Sequence, residues 1–160
     1  MLTVPSVQTA FAADHDRLDG LLVNFQTWKR SNFEQAKEFF KEFKFGLQRH
    51  IVWEETILFP LFEQKTGMVG YGPTEVMRAE HRQIGEHLEA VHWKVQRQDP
   101  DSDPEEKALL EALAVHNQKE ENVLYPTLDR LLSDAEKAEA FAAMERVPEE
   151  AYRHCCGHRH

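Results

Sequence analysis

Apolar residues recur at intervals of three and four along four long stretches, and alternation of period two is nowhere sustained, so the pattern predicts an all-α chain. A first helix should run from about Ser6 to about Arg30, with Val7, Phe11, Leu18, Leu22 and Phe25 on one stripe. Ser31 followed by Glu34 offers a capping box for a second helix reaching about Lys65, whose stripe reads Phe43, Leu47, His50, Glu54, Ile57, Leu61. The segment TGMVGYGP, from Thr66 to Pro73, is a loop by composition. Thr74 can cap a third helix to about Gln98, with Met77, His81 and Ile84 in line. After the turn DPDSDP, Asp103 as N-cap, Pro104 in the first turn and Glu106 open a fourth helix to about Leu132 with the stripe Leu109, Leu113, His116, Glu120, Val123. Ser133 with Glu136 opens a short fifth helix to about Glu145, and Val147-Pro148 leads into a tail ending HCCGHRH.

Short connections between long helices favour antiparallel neighbours. The expected architecture is therefore an up-down-up-down antiparallel four-helix bundle over residues 1–132, with the short helix and C-terminal tail, 133–160, belonging to the same domain. Pro60 and Pro126 fall at matching places inside the second and fourth helices, where each is expected to kink the helix or end it.

Composition narrows the function classes. The 160 residues suffice for one domain with a proper core, and a net charge of −9 without a basic stripe argues against nucleic acid as a partner. No stretch approaches the roughly 18 apolar residues of a membrane span, and the start MLTVPSVQTAFAADHD does not read as a secretory leader. A soluble, cytoplasmic protein that does not enter membranes is the expectation. Cys155 and Cys156 are adjacent, which is a poor geometry for bridging each other and suits a reducing compartment.

The stripes are interrupted by histidines and glutamates in a repeat. His15, His50 and Glu54 recur 66 positions later as His81, His116 and Glu120, and in each copy the lone His precedes the HxxxE pair by 35 residues. Residues four apart lie one turn apart on one helix face, so each HxxxE pair offers two ligands to one location. Because His15 sits between Phe11 and Leu18, and His81 between Met77 and Ile84, all four helices send an imidazole to the bundle interior. Burying six ionisable groups unpaired is costly, and divalent cations remove that cost. Imidazole with carboxylate and no thiolate suits iron, manganese or zinc. A single core histidine is ordinarily satisfied by a backbone carbonyl, but six such groups repeated in register favour metal. A duplicated hairpin whose His and Glu face water would explain the repeat equally, except that the residues lie on the apolar stripes.

The order His15, His50xxxGlu54, His81, His116xxxGlu120, with the continuations EETILFP and EENVLYP, resembles the hemerythrin-like family, also called the HHE cation-binding domain, over roughly Ser6 to Leu132. The resemblance implies two iron ions in a four-helix bundle, bridged by carboxylates and by an oxo or hydroxo group. Carried over residue by residue, Glu54 and Glu120 would bridge, His15 and His50 would serve one iron, and His81 and His116 the other. The chain departs from the oxygen-carrying hemerythrins where they place a fifth His in the third helix. Gly85 stands there and cannot ligate. Asp19 holds the equivalent place after His15 and could supply an oxygen ligand or accept a hydrogen bond from one.

Open positions at both metals argue less for oxygen transport than for sensing or chemistry with a diatomic ligand or peroxide. The first reading is a module that binds or senses dioxygen, nitric oxide or iron. The second is a di-iron enzyme, a peroxidase or oxidase or an agent of iron-sulfur cluster repair, drawing electrons from an external donor protein. A third is a helical module, alone or as a homodimer, in which metal only stabilises the fold. Glu55 and Glu121 read as salt-bridging residues, Phe59 and Tyr125 as core aromatics, with Tyr125 able to hydrogen-bond a bound species. Trp28, Trp53 and Trp93 read as packing or surface aromatics, and His87 and His92 as solvated helix histidines. The ending His154, Cys155, Cys156, His158, His160 is rich in metal-binding groups but lacks the CxxC spacing of a closed zinc site, and reads as a docked or exposed tail.

Overall fold

The computed structural model describes residues 4–157, with side chains to residue 153. Among the described residues there is no strand, and four antiparallel helical rods run up-down-up-down. The first rod is α1 (Val7–Trp28). The second is α2 (Phe33–Trp53), a π-helical turn (Glu54–Leu58) and α3 (Phe59–Thr66). The third is α4 (Pro73–Gln96), and the fourth is α5 (Asp103–Lys119), a second π turn (Glu120–Leu124) and α6 (Tyr125–Leu131). α7 (Asp134–Arg146) and a 3-10 segment (Glu149–Gly157) follow. What reads as a tail is thus partly helical. Tyr152 within it is buried and takes a hydrogen bond from the Trp53 indole at 2.9 Å. The side chains of His154, Cys155 and Cys156, and all of His158 and His160, lie outside the described residues.

The helix starts follow local chemistry, with three corrections. Ser6 accepts from the Thr9 amide, and Ser133 forms the expected capping box with Glu136. The cap of α2, however, is Asn32 rather than Ser31, its side chain accepting from the Gln35 amide. Thr74 lies inside α4 after Gly72, whose φ of 90° favours glycine, and its hydroxyl donates to Glu63 at 2.8 Å. Ser102, not Asp103, is the residue before α5, and it bonds the buried Glu106, which also pairs with the buried Lys29 at 2.6 Å. That pair ties the end of α1 to the start of α5.

The two prolines do not end their rods, which continue past them as α3 and α6. Each follows a widened turn in which the Phe59 amide bonds the Glu54 carbonyl and the Tyr125 amide bonds the Glu120 carbonyl, five residues back. The extra residue moves the buried stripe on by one: Leu58 and Phe62 are buried where Ile57 and Leu61 were expected, and Leu124 is buried while Val123 is 57% exposed. Two apolar clusters result. One gathers Leu22, Phe25, Phe40, Phe43, Leu88 and Leu109, and the other Phe11, Leu58, Phe59, Phe62, Met77 and Leu128. The histidines and glutamates of the repeat occupy the layer between them.

Candidate metal centre

His15 comes from α1, His50 from the last turn of α2, His81 from mid-α4 and His116 from the last turn of α5, while Glu54 and Glu120 begin the π turns. All six are almost wholly buried, both glutamates being 0% exposed. The structure brings the predicted set together as two groups of donor atoms. One is Glu54, His81, His116 and Glu120; the other is His15, His50 and Glu120.

Each imidazole is held by its outer nitrogen. Nδ1 of His15 lies 2.9 Å from Glu121 and that of His50 lies 2.8 Å from Asp14. Nδ1 of His81 lies 2.6 Å from Glu55 and that of His116 lies 2.9 Å from Glu80. A carboxylate can only accept, so Nδ1 carries the hydrogen and the neutral ring presents the Nε2 lone pair inward, as a metal ligand requires. These inner nitrogens meet the glutamates: His15 and His116 approach Glu120 Oε1 at 3.3 and 3.1 Å, and His81 approaches Glu54 Oε1 at 3.2 Å.

The arrangement contains its own evidence of a cation. Nε2 of His81 and Nε2 of His116 are 3.1 Å apart, so two lone pairs would face each other unless a proton or a metal ion stands between them. Glu54 Oε1 and Glu120 Oε2 are buried without a well-directed hydrogen bond, facing imidazole Nε2 atoms at 3.2–4.0 Å. Carboxylate oxygens so buried carry a large desolvation penalty. Four convergent imidazole nitrogens and two such carboxylates fit a pair of divalent ions.

In the metal-free chain, protons compensate instead. Burial disfavours a charged His15, but the bond to Glu120 and the charges of Glu120 and Glu54 outweigh it and hold its pKa at about 9. His81 is likewise raised to about 10 against burial by Glu54 and Glu55, and His116 is raised by Glu120. Burial, then the neighbouring Glu120 charge, raises Glu54. Burial pushes Glu120 the same way, yet contact with Glu54, His116 and His15 holds it well below the usual carboxylate range.

Tyr125 completes the layer. Its hydroxyl donates to Glu54 Oε2 at 2.6 Å and lies 3.0 Å from Glu120, 3.1 Å from His50 Nε2 and 3.3 Å from His15 Nε2. Five residues along a regular α-helix turn through about 140°, away from the starting residue. The π turn brings Tyr125 back over Glu120. Burial and the two carboxylate charges push its pKa well up, so it remains a hydroxyl donor. At the matching place in the other half, Phe59 stacks on His81 with centroids 5.7 Å apart.

This centre can now be set beside known proteins. Residues 6–128 match the hemerythrin HHE cation-binding domain. The chain belongs to that family. A hemerythrin-like protein of Schizosaccharomyces pombe is 29% identical over 145 residues, covering 88% of this chain and 68% of that protein. The iron-sulfur cluster repair protein YtfE of Edwardsiella ictaluri is 43% identical over 54 residues, and that of Escherichia coli is 35% identical over 92. Those alignments cover 34% and 50% of this chain and only 24% and 40% of the repair proteins. The chain therefore spans well under half the length of these repair relatives. No solved structure matches it significantly.

Within this HHE chain, the residues that sequence reasoning missed are those behind the imidazoles. Asp14 and Glu80, each preceding a histidine of the set, serve His50 and His116 on the next helix. Glu55 and Glu121, expected as salt-bridging residues, serve His81 and His15 across the halves. The repeat itself carried the signal, since Asp14/Glu80 and Glu55/Glu121 are also 66 apart. Asp19 is exposed and belongs to neither donor group. His92 is half-buried rather than solvated, with its Nδ1 2.8 Å from Lys44. No described helix is long and apolar enough to cross a membrane.

Proposed function

We infer that this chain is a non-haem di-iron protein whose buried centre binds a small molecule, dioxygen, nitric oxide or peroxide, and signals or reacts on that binding. The observation that supports it most is the convergence of four Nδ1-anchored imidazoles on two buried carboxylates whose oxygens Glu54 Oε1 and Glu120 Oε2 lack well-directed hydrogen bonds. His15 and His50 would hold one ion, His81 and His116 the other, and Glu54 and Glu120 would span both. Iron held there would supply reversible one-electron chemistry and a place for a small ligand, and Gly85 adds no further donor to the set. The chain's own groups fix the tautomers, exclude bulk water between two apolar clusters, and place the Tyr125 proton beside Glu54, Glu120 and the His15/His50 pair. Manganese or zinc would fit the same donors.

The family resemblance to YtfE over the aligned segments favours a second reading, an enzyme of iron-sulfur cluster repair that takes electrons from a partner. Metal analysis with an optical spectrum of protein purified without added metal tests the centre: two irons per chain are expected. Anaerobic Fe(II) loading followed by dioxygen or peroxide separates the readings. A ligand-dependent change in conformation or assembly with single turnover supports a sensor, and sustained turnover with added reductant supports the enzyme. A chain that takes up neither iron nor another divalent ion refutes both.

A further inference from the structure

The two halves of the centre are related by the 66-residue repeat, and two of the places where that symmetry fails lie along one seam. Between α1 and α5 an outer cleft of about 400 Å³ is walled by Asp19, Leu113, Asn117 and Glu121. Directly beneath it a void of about 10 Å³ is bounded by His15 and shares Asp19, Leu113 and Asn117 with the cleft. The space enclosed by the ligand set itself, also about 10 Å³, shares His15, Leu47, Leu113 and Asn117 with that void. Three spaces thus follow one another from the surface to the metal-binding layer, each sharing walls with the next.

The equivalent seam, between the second and third rods, is built otherwise. Leu47 stands for Leu113, but Ile51, 2% exposed, replaces Asn117 and the buried Gly85 replaces Asp19. At these two positions one seam presents an exposed carboxylate and a half-buried amide and the other a glycine and an isoleucine, although farther out Glu55 and Lys44 stand for Glu121 and Leu110. A wet, polar lining lowers the cost of passing a hydrated or hydrogen-bonding molecule, whereas an apolar lining strips it.

We propose that the α1/α5 seam, with Asp19 at its mouth and Asn117 at its throat, is the route by which small ligands reach the His15/His50 side of the centre, and that its width restricts them to species about the size of water. This rests on the metal-binding reading above. A void of about 10 Å³ holds roughly one water-sized probe, so hydrogen peroxide, azide and diatomic gases pass while branched organic hydroperoxides do not. A separate cavity of about 230 Å³ between α1, α2 and α7 reaches His50 beside Ala10 and Phe11, and is the competing route.

The test uses full-length iron-loaded chain, with iron content measured first and azide association followed by stopped-flow absorbance. Asn117→Ile, which copies the closed seam, should slow azide entry at least about tenfold at unchanged iron content, and Ala10→Trp, which fills the competing cavity, should leave the rate as it is. Asp19→Asn removes a negative charge from the mouth, so azide entry should quicken by about threefold at low ionic strength, an effect that vanishes in about 1 M salt. Hydrogen peroxide should oxidise the reduced centre far faster than tert-butyl hydroperoxide. Iron-loaded variants at positions 117 and 19 that bind azide at the wild-type rate, or a slowing by Ala10→Trp alone, overturn the route. Equal rates for the two peroxides overturn the size limit. Should Asn117→Ile lose its iron, the Asp19→Asn rate and its salt dependence decide. A wild-type chain without metal defeats the metal-binding reading first and this one with it.

Discussion

Metal loading should be a proton exchange, and its size follows from the site. His15 and His81 titrate at about 9 and about 10 in the metal-free chain, so both are imidazolium at pH 7. A metal ion needs their Nε2 lone pairs, and loading must expel both protons. The overall loading constant should then rise about a hundredfold per pH unit between pH 7 and 9, roughly 2.7 kcal/mol for two protons. The same groups tie folding of the metal-free chain to pH. An imidazole whose folded pKa lies above the ordinary 6.5 contributes stability that is complete below that value and is lost as pH climbs through the folded pKa. The metal-free protein should therefore lose stability between pH 7 and 10, by up to roughly 3 kcal/mol from His15 alone. The loaded protein, whose imidazoles are already neutral, should not follow it. Calorimetry of zinc binding in buffers of different ionisation enthalpy counts the protons, and paired melting curves over that pH range test the stability. Fewer than one proton released at pH 7, or parallel pH profiles for loaded and metal-free chain, would refute the assignment of those protons to the ligand histidines.

Glu120 belongs to both donor groups, so Glu120→Gln should reduce iron from two per chain to below one, and more severely than Glu54→Gln, as read by elemental analysis. Tyr125→Phe, which copies Phe59 of the other half, strands carboxylate oxygens now bonded by the hydroxyl, and should cost the metal-free chain about 1–3 kcal/mol in denaturant melts. The loss should shrink when metal satisfies those oxygens. Lys29→Met leaves the buried Glu106 without its cation, an expected loss of about 3–5 kcal/mol, and the double variant with Glu106→Met should recover most of it in thermal melts.

The bundle and the convergence of six candidate ligand residues were legible in the sequence because a helical period places His15, His50, Glu54, His81, His116 and Glu120 on the same stripes as the apolar core. The reading failed where the period changed. Beyond Glu54 and Glu120 one added residue per turn moves the buried positions from Ile57 and Leu61 to Leu58 and Phe62, and nothing in a regular 3.6-residue count announces it. The apolar residues at Leu58, Phe62, Leu124 and Leu128, four apart in each rod, and a proline following each pair's first member, are the clues that were available. Asp14 and Glu80, although marked by the repeat, were missed for a different reason. Their partners lie on a neighbouring helix, and pair spacing along one helix says nothing about contacts across two.

The same widened turn explains how a symmetric scaffold becomes an asymmetric site. By closing five residues back, it carries Tyr125 and Phe59 to equivalent places over Glu120 and Glu54. One half thereby receives a hydroxyl among His15, His50 and both carboxylates, and the other a ring stacked on His81. Asn117 against Ile51, and Asp19 against Gly85, fall the same way, with the polar member of each pair on the His15/His50 side. These three differences between the halves add polar groups on the His15/His50 side where the His81/His116 side has Phe59, Ile51 and Gly85. Two ions held there would meet different surroundings and so could differ in potential and in access to a ligand, because burial and hydrogen bonding set both properties.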